Sequence, residues 1–467
     1  MAGVSGMATP LRVRPREDAA LSVRLARSAT VREHGAHLRT SEVHDWLARR
    51  RAAHHFAVER VPLDALEEWA TDPVTGNVTH RSGRFFSVEG LHVTVSEGPV
   101  REWWQPVIHQ PEVGILALLA QEFDGVLHFL LQAKMEPGNP GTVQLSPTVQ
   151  ATRSNYTGVH RGRPVQYLDE IVTAQPGSLL VDVLQSEHGS WFYRKVNRNL
   201  VVETTGPVAV GDDFCWLTLG QLGALLREDN LVNMDTRTIL GCLPTAPLGG
   251  TALLRDTELL SWIAGERARQ DVRVSLVPLR DARGWRRGER VVERPDGRYF
   301  RVVGVKVEAG SREIGRWSQP LIEPVGMGVA AFLVRDIDGV PHVLAHARAE
   351  GGFLDTVELG PTVQCVPDST AGAPPAARPL FLTEVLDAPP SQVLYDAVHS
   401  EEGGRFLGAE NRYAIVRAGD AVPADPPPGY CWVTPAQLNA LTRHAHYVNV
   451  QARTLLAVLN AGCVPGM

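Results

Sequence analysis

Two matching stretches of the chain are rich in apolar residues, and each stretch is divided by a two-residue turn. Asp124-Gly125 lies between two apolar runs, and Asp338-Gly339 lies between two more. The four runs are residues 114–120, 126–133, 329–334 and 340–347. An Asp-Gly pair between apolar runs is a strong signal for a β-hairpin, because both residues adopt positive φ angles easily. The pattern therefore predicts one hairpin in each half of the chain.

Helical periodicity precedes and follows both hairpins. Helices are predicted around Trp46 and Trp262, near the start of each half. Near the end of each half, Thr218 and Thr434 precede leucines at helical spacing and are suited to cap a helix N-terminus. Pro435 strengthens the second prediction, since proline is favoured at the first helical position. Strands and helices together predict an α+β fold, a mixed sheet flanked by helices, in each half.

The two halves also share identical residues in the same order. Matching segments include Gln105-Pro106 with Gln319-Pro320, Pro147–Gln150 with Pro361–Gln364, Ser186-Glu187 with Ser400-Glu401, Asn197-Arg198 with Asn411-Arg412, and Cys215-Trp216 with Cys431-Trp432. Chance does not supply so many collinear matches, so the chain is a tandem duplication. We expect a first unit at 40–243, a linker at 244–255 and a second unit at 256–462. Residues 1–39, with scattered arginines and no long apolar stretch, are predicted to form a flexible N-terminal tail.

Composition narrows the class of protein. The 467 residues are 44% hydrophobic and 21% charged, which is typical of a globular protein, and the net charge is only -6. A charge this small gives no reason to expect nucleic-acid or membrane partners. The five cysteines form no CxxC pair, which is typical of reduced thiols in the cytoplasm. We therefore expect a cytoplasmic protein, and a homodimer is the default oligomer for such a chain.

Two segments carry a resemblance to a known family. They are residues 132–156, QAKMEPGNPGTVQLSPTVQATRSNY, and residues 186–199, SEHGSWFYRKVNRN. Together with the length and the duplication, they resemble the NDP-hexose 2,3-dehydratases of deoxysugar biosynthesis in antibiotic pathways. The resemblance implies a tandem duplication of a Nudix-like mixed-sheet α/β/α sandwich unit. It also implies dTDP-4-keto-6-deoxy-D-glucose as substrate and functional coupling to a 3-ketoreductase.

The reaction implied by the resemblance is an elimination. A base removes the C3 proton, which the neighbouring C4 ketone makes acidic, and the C2 hydroxyl then leaves. The product tautomerises to a 3,4-diketo-2,6-dideoxy sugar. Such a site needs a base, a donor to the C4 oxygen and an acid for the leaving group. We expect neither a cofactor nor a metal, and the sequence has no GxGxxG or Walker loop.

Two other functions remain open at this point. A nucleotide-sugar pyrophosphohydrolase would use metal-binding glutamates on a helix, but neither half has an Arg-Glu-x-x-Glu-Glu pattern. A non-catalytic nucleotide-sugar binding protein would need only the recognition residues.

Four residues are the catalytic candidates, and each has an alternative interpretation. His188 and Glu187 fit a base near C3, but His188 also fits an ordinary loop histidine. Glu136 fits a base if it is buried, whereas a solvated glutamate at a strand end would look the same in the sequence. Tyr156 fits a donor to the C4 oxygen or to the leaving hydroxyl, or a packing residue.

The binding candidates fall into three groups by chemistry. Cationic groups suit a diphosphate, although the arginines also fit salt bridges within their own units. Aromatic rings suit stacking on thymine, and amides suit pyrimidine edges or buried backbone groups. The full set is Trp103, Trp104, Gln105, Lys134, Thr148, Gln150, Arg153, Asn155, Tyr193, Asn197 and Arg198 in the first half, with Trp317, Gln319, Arg348, Glu350, Thr362, Gln364, Glu401, Asn411 and Arg412 in the second.

The two halves differ most after the Pro-Thr-Val-Gln segment. Residues 153–163 include arginines, a histidine and a tyrosine, whereas the matching 366–380 are mostly proline, alanine and other small residues. The first half therefore has more groups that titrate or bind phosphate. We expect it to hold the main catalytic site, while the second half binds nucleotide or supports a dimer.

Overall fold

A computed structural model describes residues 19–96, 98, 100–152, 164–244, 252–310, 312, 314–370, 378–464 and 466–467. Its α-helices are α1 (Ala19–Thr30), α2 (Val43–Ala53), α3 (Leu168–Val172), α4 (Leu219–Leu225), α5 (Met234–Leu240), α6 (Asp256–Arg269), α7 (Pro367–Thr370), α8 (Leu382–Leu386), α9 (Pro435–Leu441) and α10 (Val450–Asn460). Short 3-10 helices span Thr40–Glu42, Leu63–Ala65, Pro176–Ser178, Leu279–Asp281 and Pro390–Gln392.

The strands fall into two series, one in each half of the chain. The first series is β1 (Phe56–Val61), β2 (Trp69–Thr71), β3 (Val78–His80), β4 (Ser87–Val95), β5 (Glu102–His109), β6 (Gly114–Phe123), β7 (Val126–Met135), β8 (Val143–Pro147), β9 (Val149–Ala151), β10 (Leu179–Ser186), β11 (Val196–Glu203) and β12 (Phe214–Thr218). The second is β13 (Val272–Val277), β14 (Arg286–Arg287), β15 (Val291–Glu293), β16 (Phe300–Ala309), β17 (Arg316–Pro324), β18 (Gly328–Ile337), β19 (Val340–Ala349), β20 (Val357–Gly360), β21 (Val363–Cys365), β22 (Val393–Ser400), β23 (Glu410–Arg417) and β24 (Tyr430–Val433).

Each unit contains a mixed seven-stranded sheet. The first has the order β10-β11-β6-β7-β12, with β8 beside β7 and β9 beside β6, and the second repeats it as β22-β23-β18-β19-β24 with β20 and β21. The β6–β7 hairpin turns at Asp124 and Gly125 with φ of 49° and 75°, and Asp338 and Gly339 repeat the turn. The predicted hairpins, the α+β class and the two-unit repeat are therefore confirmed.

The predicted helices near the ends of each half are present as well. Thr218 accepts a hydrogen bond from the backbone of Gln221, and Thr434 does the same with Gln437. In both cases the glutamine side chain returns a bond to the threonine backbone, so two groups at the helix start are satisfied reciprocally.

The two units exchange one strand each. β1 pairs antiparallel with β16 of the second unit, and β13 pairs with β4 of the first unit. Each exchanged strand completes a five-stranded sheet otherwise built by the other unit, β2–β5 or β14–β17. Gly90 permits this close approach, because a Cβ there would lie 2.9 Å from Pro278 O, and Gly304 meets Val61 O in the same way. The exchange brings residues of both units to the same cavities.

Part of the predicted N-terminal tail is folded. Helix α1 packs against α4 and β7, and its Leu21 and Leu25 side chains are buried. The Ser28 hydroxyl is fully buried and donates to the carbonyl of Leu127, 2.5 Å away. These contacts order the segment because the apolar face of the helix covers the sheet of the first unit. Residues 1–18 lie outside the described residues.

The largest hydrophobic core is shared by both units. Side chains from the inner faces of both seven-stranded sheets join those of the intervening helices, among them α5 and α10. Arg237 of α5 donates to the carbonyl of Ser400 at 2.6 Å, and Arg453 of α10 donates to that of Ser186. Both guanidinium groups are fully buried, so each helix fixes the end of a strand in the other unit. Across the described part of the chain, no helix is long and apolar enough to cross a membrane.

Candidate active site

A cavity of about 200 Å³ lies where the seven-stranded sheet of the first unit meets a five-stranded sheet and a loop of the second. Its polar lining comes from both units: Lys134, Glu136, Gln150, Lys195, Asn197 and Asp235 from the first, and Arg312, Gln319, Glu402 and Arg405 from the second. Strand β7 and the segment after it supply Lys134 and Glu136, and the second unit forms the opposite wall. The cavity is therefore a feature of the fused pair rather than of one unit.

One wall is a hydrogen-bonded network around Glu136. The Gln150 side chain accepts a hydrogen bond from Lys134 Nζ at 2.6 Å and donates one to Glu136 Oε1 at 3.0 Å. Lys134 Nζ lies 3.6 Å from the same carboxylate oxygen. Glu136 is only 3% exposed, and among the described residues its Oε2 has no hydrogen-bond partner. Buried polar atoms are usually hydrogen-bonded, so a carboxylate oxygen without a partner beside a cavity marks a candidate functional group.

Deeper in the cavity lie Lys195 and Asp235. Burial lowers the pKa of Lys195 to about 8, although the charges of Glu187 and Glu402 oppose this effect. Burial raises the pKa of Asp235 well above its usual range, and the nearby carboxylates Glu402 and Glu187 raise it further. Asp235 is 1% exposed, so burial favours the protonated form of its carboxyl.

The loop between β22 and β23 brings Glu402 and Arg405 to the cavity. The Gly138 N–H donates to the carbonyl of Gly403 at 2.8 Å, so the loop is held against the segment that carries Glu136. Gly138 has no room for a side chain, since a Cβ there would lie 1.6 Å from the carbonyl oxygen of Phe406. The Arg405 guanidinium donates to Gln110 at 3.1 Å and lies 4.5 Å from the ring centre of Phe86.

Aromatic rings form the remaining wall. Trp69, Phe85, Phe86 and Trp317 line the cavity, and Trp69 packs on Phe86 with ring centres 4.7 Å apart. The Trp317 indole donates to Gln319 at 3.0 Å, and the Gln319 amide donates in turn to the carbonyl of Gly404 at 2.7 Å. The cavity thus combines titratable groups, cations and a flat apolar surface, a combination typical of small-molecule sites.

Comparison with known proteins shows the family of the chain. The family model described as NDP-hexose 2,3-dehydratase matches residues 40–243 and again residues 256–459. The chain belongs to the NDP-hexose 2,3-dehydratase family. The predicted resemblance is therefore confirmed, and the family model matches once in each half of the chain.

Three curated members of this family are similar to the chain over most of its length. Each is named dTDP-4-dehydro-6-deoxy-alpha-D-glucopyranose 2,3-dehydratase. The protein of Amycolatopsis orientalis is 57% identical, covering 96% of both chains. That of Streptomyces violaceoruber is 52% identical over 90% of this chain and 96% of its own, and that of Saccharopolyspora spinosa is 48% identical over 90% and 91%.

In this member of the family, His188 and Glu187 lie beside the cavity but do not line it. His188 is 2% exposed, and its Nε2 lies 2.8 Å from Glu401 Oε2. Burial lowers the pKa of His188, but the carboxylates of Glu401 and Glu187 outweigh this effect and raise it to about 10. Glu187 accepts a hydrogen bond from Asn197 at 2.6 Å, and Asn197 does line the cavity.

Other residues predicted to bind substrate make internal contacts. The Thr148 and Thr362 hydroxyls accept from the backbones of Leu119 and Leu333, each at 2.9 Å. Arg198 and Arg412 form two-point ion pairs with Asp182 and Asp396, as their alternative interpretation proposed. Four more predicted binding residues, Trp103, Trp104, Gln105 and Tyr193, lie away from the lining of this cavity. Arg153, Asn155 and Tyr156 lie outside the described residues.

The second unit keeps only part of the same network. Gln364 donates to Glu350 Oε1 at 2.9 Å, and the Arg348 guanidinium lies 3.3 Å from that oxygen. Asn411 donates to Glu401, which also accepts from the Tyr413 hydroxyl at 2.7 Å. Where the first cavity has Lys195, Asp235, Glu402 and Arg405, the matching positions hold Ala409, Gln451, His188 and Trp191.

Five charged residues of the cavity were not among the predicted site residues: Lys195, Asp235, Arg312, Glu402 and Arg405. The positions of Lys195 and Asp235 do carry a signal. Each lies within a segment that matches across the repeat, yet each changes to an uncharged residue in the second copy. A loss of charge inside a matched segment is therefore a signal for these two residues that identity across the repeat does not give.

Proposed function

We propose that this chain removes water across C2 and C3 of dTDP-4-keto-6-deoxy-D-glucose, giving the 3,4-diketo-2,6-dideoxy sugar of deoxysugar biosynthesis. The protein is a hydro-lyase. One observation carries the proposal: this chain of the family has a cavity in which buried carboxyls and cations face one another across the two units. The shared name of the three relatives supports the choice of sugar and nucleotide.

The charges of the cavity suit a diphosphate. Among the described lining residues there are four basic side chains, Lys134, Lys195, Arg312 and Arg405, and three carboxyls, Glu136, Asp235 and Glu402. The excess positive charge favours a dianionic group. Trp317 and the other rings provide the flat surface on which a thymine base stacks. We assign the diphosphate to the arginines from the second unit and the sugar to the Glu136 network.

In this proposal Glu136 is the base at C3. Glu136 lines the cavity, and Gln150 and Lys134 hold its Oε1, so the carboxylate is fixed in one orientation. Lys134, beside the base, donates to the C4 oxygen as negative charge develops there. The matching Glu350 sits between Arg348 and Gln364 without the other charged groups of the cavity, which is why we place the chemistry in the first half.

His188 and Glu187 act as supporting residues in this proposal, because the charge of His188 is compensated inside the protein. Tyr156 remains a proposed donor to the C4 oxygen, and Arg153 and Asn155 remain proposed binding residues.

The finer structural and cellular expectations are proposals of the same kind. A Nudix-like unit is supported by a mixed seven-stranded sheet whose two faces are both covered by apolar clusters and helices. We also propose a cytoplasmic homodimer. A 3-ketoreductase is the functional partner, since a 3,4-diketo sugar is reactive and its 3-ketone is the group to be reduced.

The test follows the sugar by NMR in D₂O. The protein is incubated with dTDP-4-keto-6-deoxy-D-glucose, with and without a 3-ketoreductase and its reduced nicotinamide cofactor. We expect loss of the C3 proton signal and, with the reductase, a 2-deoxy product. Release of dTMP and a sugar phosphate, abolished by EDTA, would instead show a pyrophosphohydrolase. Unchanged substrate that still binds would show a carrier.

A further inference from the structure

The second unit supplies a carboxyl to the cavity of the first, and this carboxyl has no assigned role. We propose that Glu402 is the general acid that protonates the departing C2 hydroxyl. The inference rests on the proposed dehydratase function and on Glu136 as the C3 base. The two units then share the active site, because the base comes from one unit and the acid from the other.

The backbone around Glu402 is fixed at several points. The carbonyl of Glu402 accepts from the N–H groups of Arg405 and Phe406 at 3.1 and 2.9 Å. The neighbouring Gly403 and Gly404 carbonyls accept from Gly138 and Gln319 at 2.8 and 2.7 Å. A group held this way needs little reorganisation during the reaction, which is what general acid catalysis requires of its donor.

The Glu402 side chain, by contrast, is uncommitted. Within the part of the chain that the structure describes, no hydrogen bond or ion pair occupies its carboxyl, and it lines the cavity. A Cβ placed on Gly404 would lie 2.8 Å from Glu402 Oε1 and 3.6 Å from Glu136 Oε1. The two carboxyls therefore border one space. A sugar there presents C3 to one and the C2 hydroxyl to the other, since bonded carbons are about 1.5 Å apart.

Burial lets Glu402 hold a proton near neutral pH. Burial raises the pKa of Glu402 to about 7, with Glu187 and Glu136 adding to the effect and Arg405 and Lys195 opposing it. Burial also raises the pKa of Asp235, the other carboxyl nearby. A donor whose pKa is close to the working pH both gives up its proton and regains it within a cycle.

The protons and electrons balance over one turnover. Glu136 takes the proton from C3, and the electrons of the C3–H bond form a C3=C4 enolate. The enolate then restores the C4 ketone, its electrons form C2=C3, and the C2–O bond breaks as Glu402 gives its proton to the leaving oxygen. In the tautomerisation, Glu136 returns its proton to C2 and Glu402 takes the proton of the C3 hydroxyl. Water is the net loss, and both carboxyls regain their starting states.

The experiment separates loss of the acid from loss of the fold. Glu402→Gln is compared with wild type and with Glu289→Gln, an exposed carboxylate of the same unit, on two substrates. One is dTDP-4-keto-6-deoxy-D-glucose. The other is its 2-deoxy-2-fluoro analogue, whose fluoride leaves without protonation. We expect Glu402→Gln to slow dehydration by about 100-fold or more, the range for a lost general acid. Fluoride release and exchange of the C3 proton in D₂O should stay close to wild type.

Each other outcome overturns the assignment. Equal losses with both substrates would show that Glu402 does not protonate the leaving group, and wild-type dehydration would show that it has no part in the reaction. If Asp235→Asn instead slowed dehydration without slowing fluoride release, Asp235 would be the general acid. If wild type itself neither exchanges the C3 proton nor eliminates, the proposed function fails, which is a result distinct from these.

Discussion

The two halves of the molecule repeat one architecture but differ in the chemistry of their matched positions. Glu136 with Gln150 in the first half corresponds to Glu350 with Gln364 in the second, and both pairs keep the same hydrogen bond. The titratable groups around them do not recur: Asp235, for example, is replaced by Gln451. The carboxylate and amide are thus kept in both halves, and the charged groups that surround them differ.

The position of Glu402 shows this most clearly. Its counterpart is His188, which is enclosed between the rings of Trp191 and Phe406 and paired with Glu401. One site thus presents a free carboxyl to a cavity, and the other uses the same backbone position for a buried ion pair. In our proposal His188 stabilises the fold, whereas Glu402 takes part in the reaction.

The largest expected effect distinguishes the two glutamates. Glu136→Gln should lower the dehydration rate by about 10³-fold, because the base at C3 is lost while its hydrogen bonds remain possible. Glu350→Gln should lower it by less than about tenfold, or about 1.4 kcal/mol in the barrier. Rates are measured with the 3-ketoreductase in excess. Similar losses in both variants would show that the two halves share the reaction.

The next prediction concerns stability. His188→Gln leaves the Glu401 carboxylate buried without its cation, which should lower the free energy of unfolding by about 3 kcal/mol, as for other broken buried pairs. Urea unfolding measures the loss, and His444→Gln, at an exposed position, serves as the control. A loss no larger than the control's would mean that the pair contributes nothing.

The pH dependence of this loss has a definite sign. The pKa of His188 is raised from its usual 6.5 to about 10, so its contribution is fully present below pH 6.5. It disappears as the pH rises through about 10, and the difference between wild type and His188→Gln should shrink over that range. The pKa of Glu401 is lowered to about 2: burial alone would raise it, but the charge of His188 outweighs burial. Its contribution is present above 4.5 and is lost as the pH falls through about 2.

The smallest expected effect belongs to positions that are alike in both halves. Arg198 and Arg412 form equivalent ion pairs on the surface, at 2.6 Å from Asp182 and Asp396. Arg198→Ala and Arg412→Ala should each lower the free energy of unfolding by less than about 1 kcal/mol, since water screens such pairs. Urea unfolding and KM for the nucleotide sugar check this. A large rise in KM for either variant would show that the substituted arginine binds the substrate.

Much of the fold was predictable, because it rests on local signals. Asp-Gly turns and threonine caps act through their own backbone, so the hairpins and the helix starts followed from the sequence. The exchange of β1 and β13 was not predictable, since alternating strands of this kind pair equally well with a neighbour in either unit. The burial of α1 was missed for a related reason. The helix has few apolar residues, and whether they are buried depends on the sheet that they cover.

Only some of the residues that line the cavity were predictable from the sequence. Lys134, Glu136, Gln150 and Asn197 were predicted from their chemistry and their match across the repeat, and they line the cavity. Trp317 and Gln319 from the second unit do so as well. Glu402 was passed over because it reaches the cavity through contacts between units, with Gly138 holding its loop. His188 attracted attention as a lone titratable residue, yet only the fold shows that Glu401 lies beside it.

The central claim is that the reaction starts at Glu136 and that the acid comes from the second unit. The most direct measurement is the rate at which the C3 proton of dTDP-4-keto-6-deoxy-D-glucose exchanges with D₂O, followed by proton NMR. We predict exchange near the wild-type rate in Glu350→Gln and Glu402→Gln, and almost none in Glu136→Gln. Normal exchange in Glu136→Gln, or its loss in Glu350→Gln, would contradict the account.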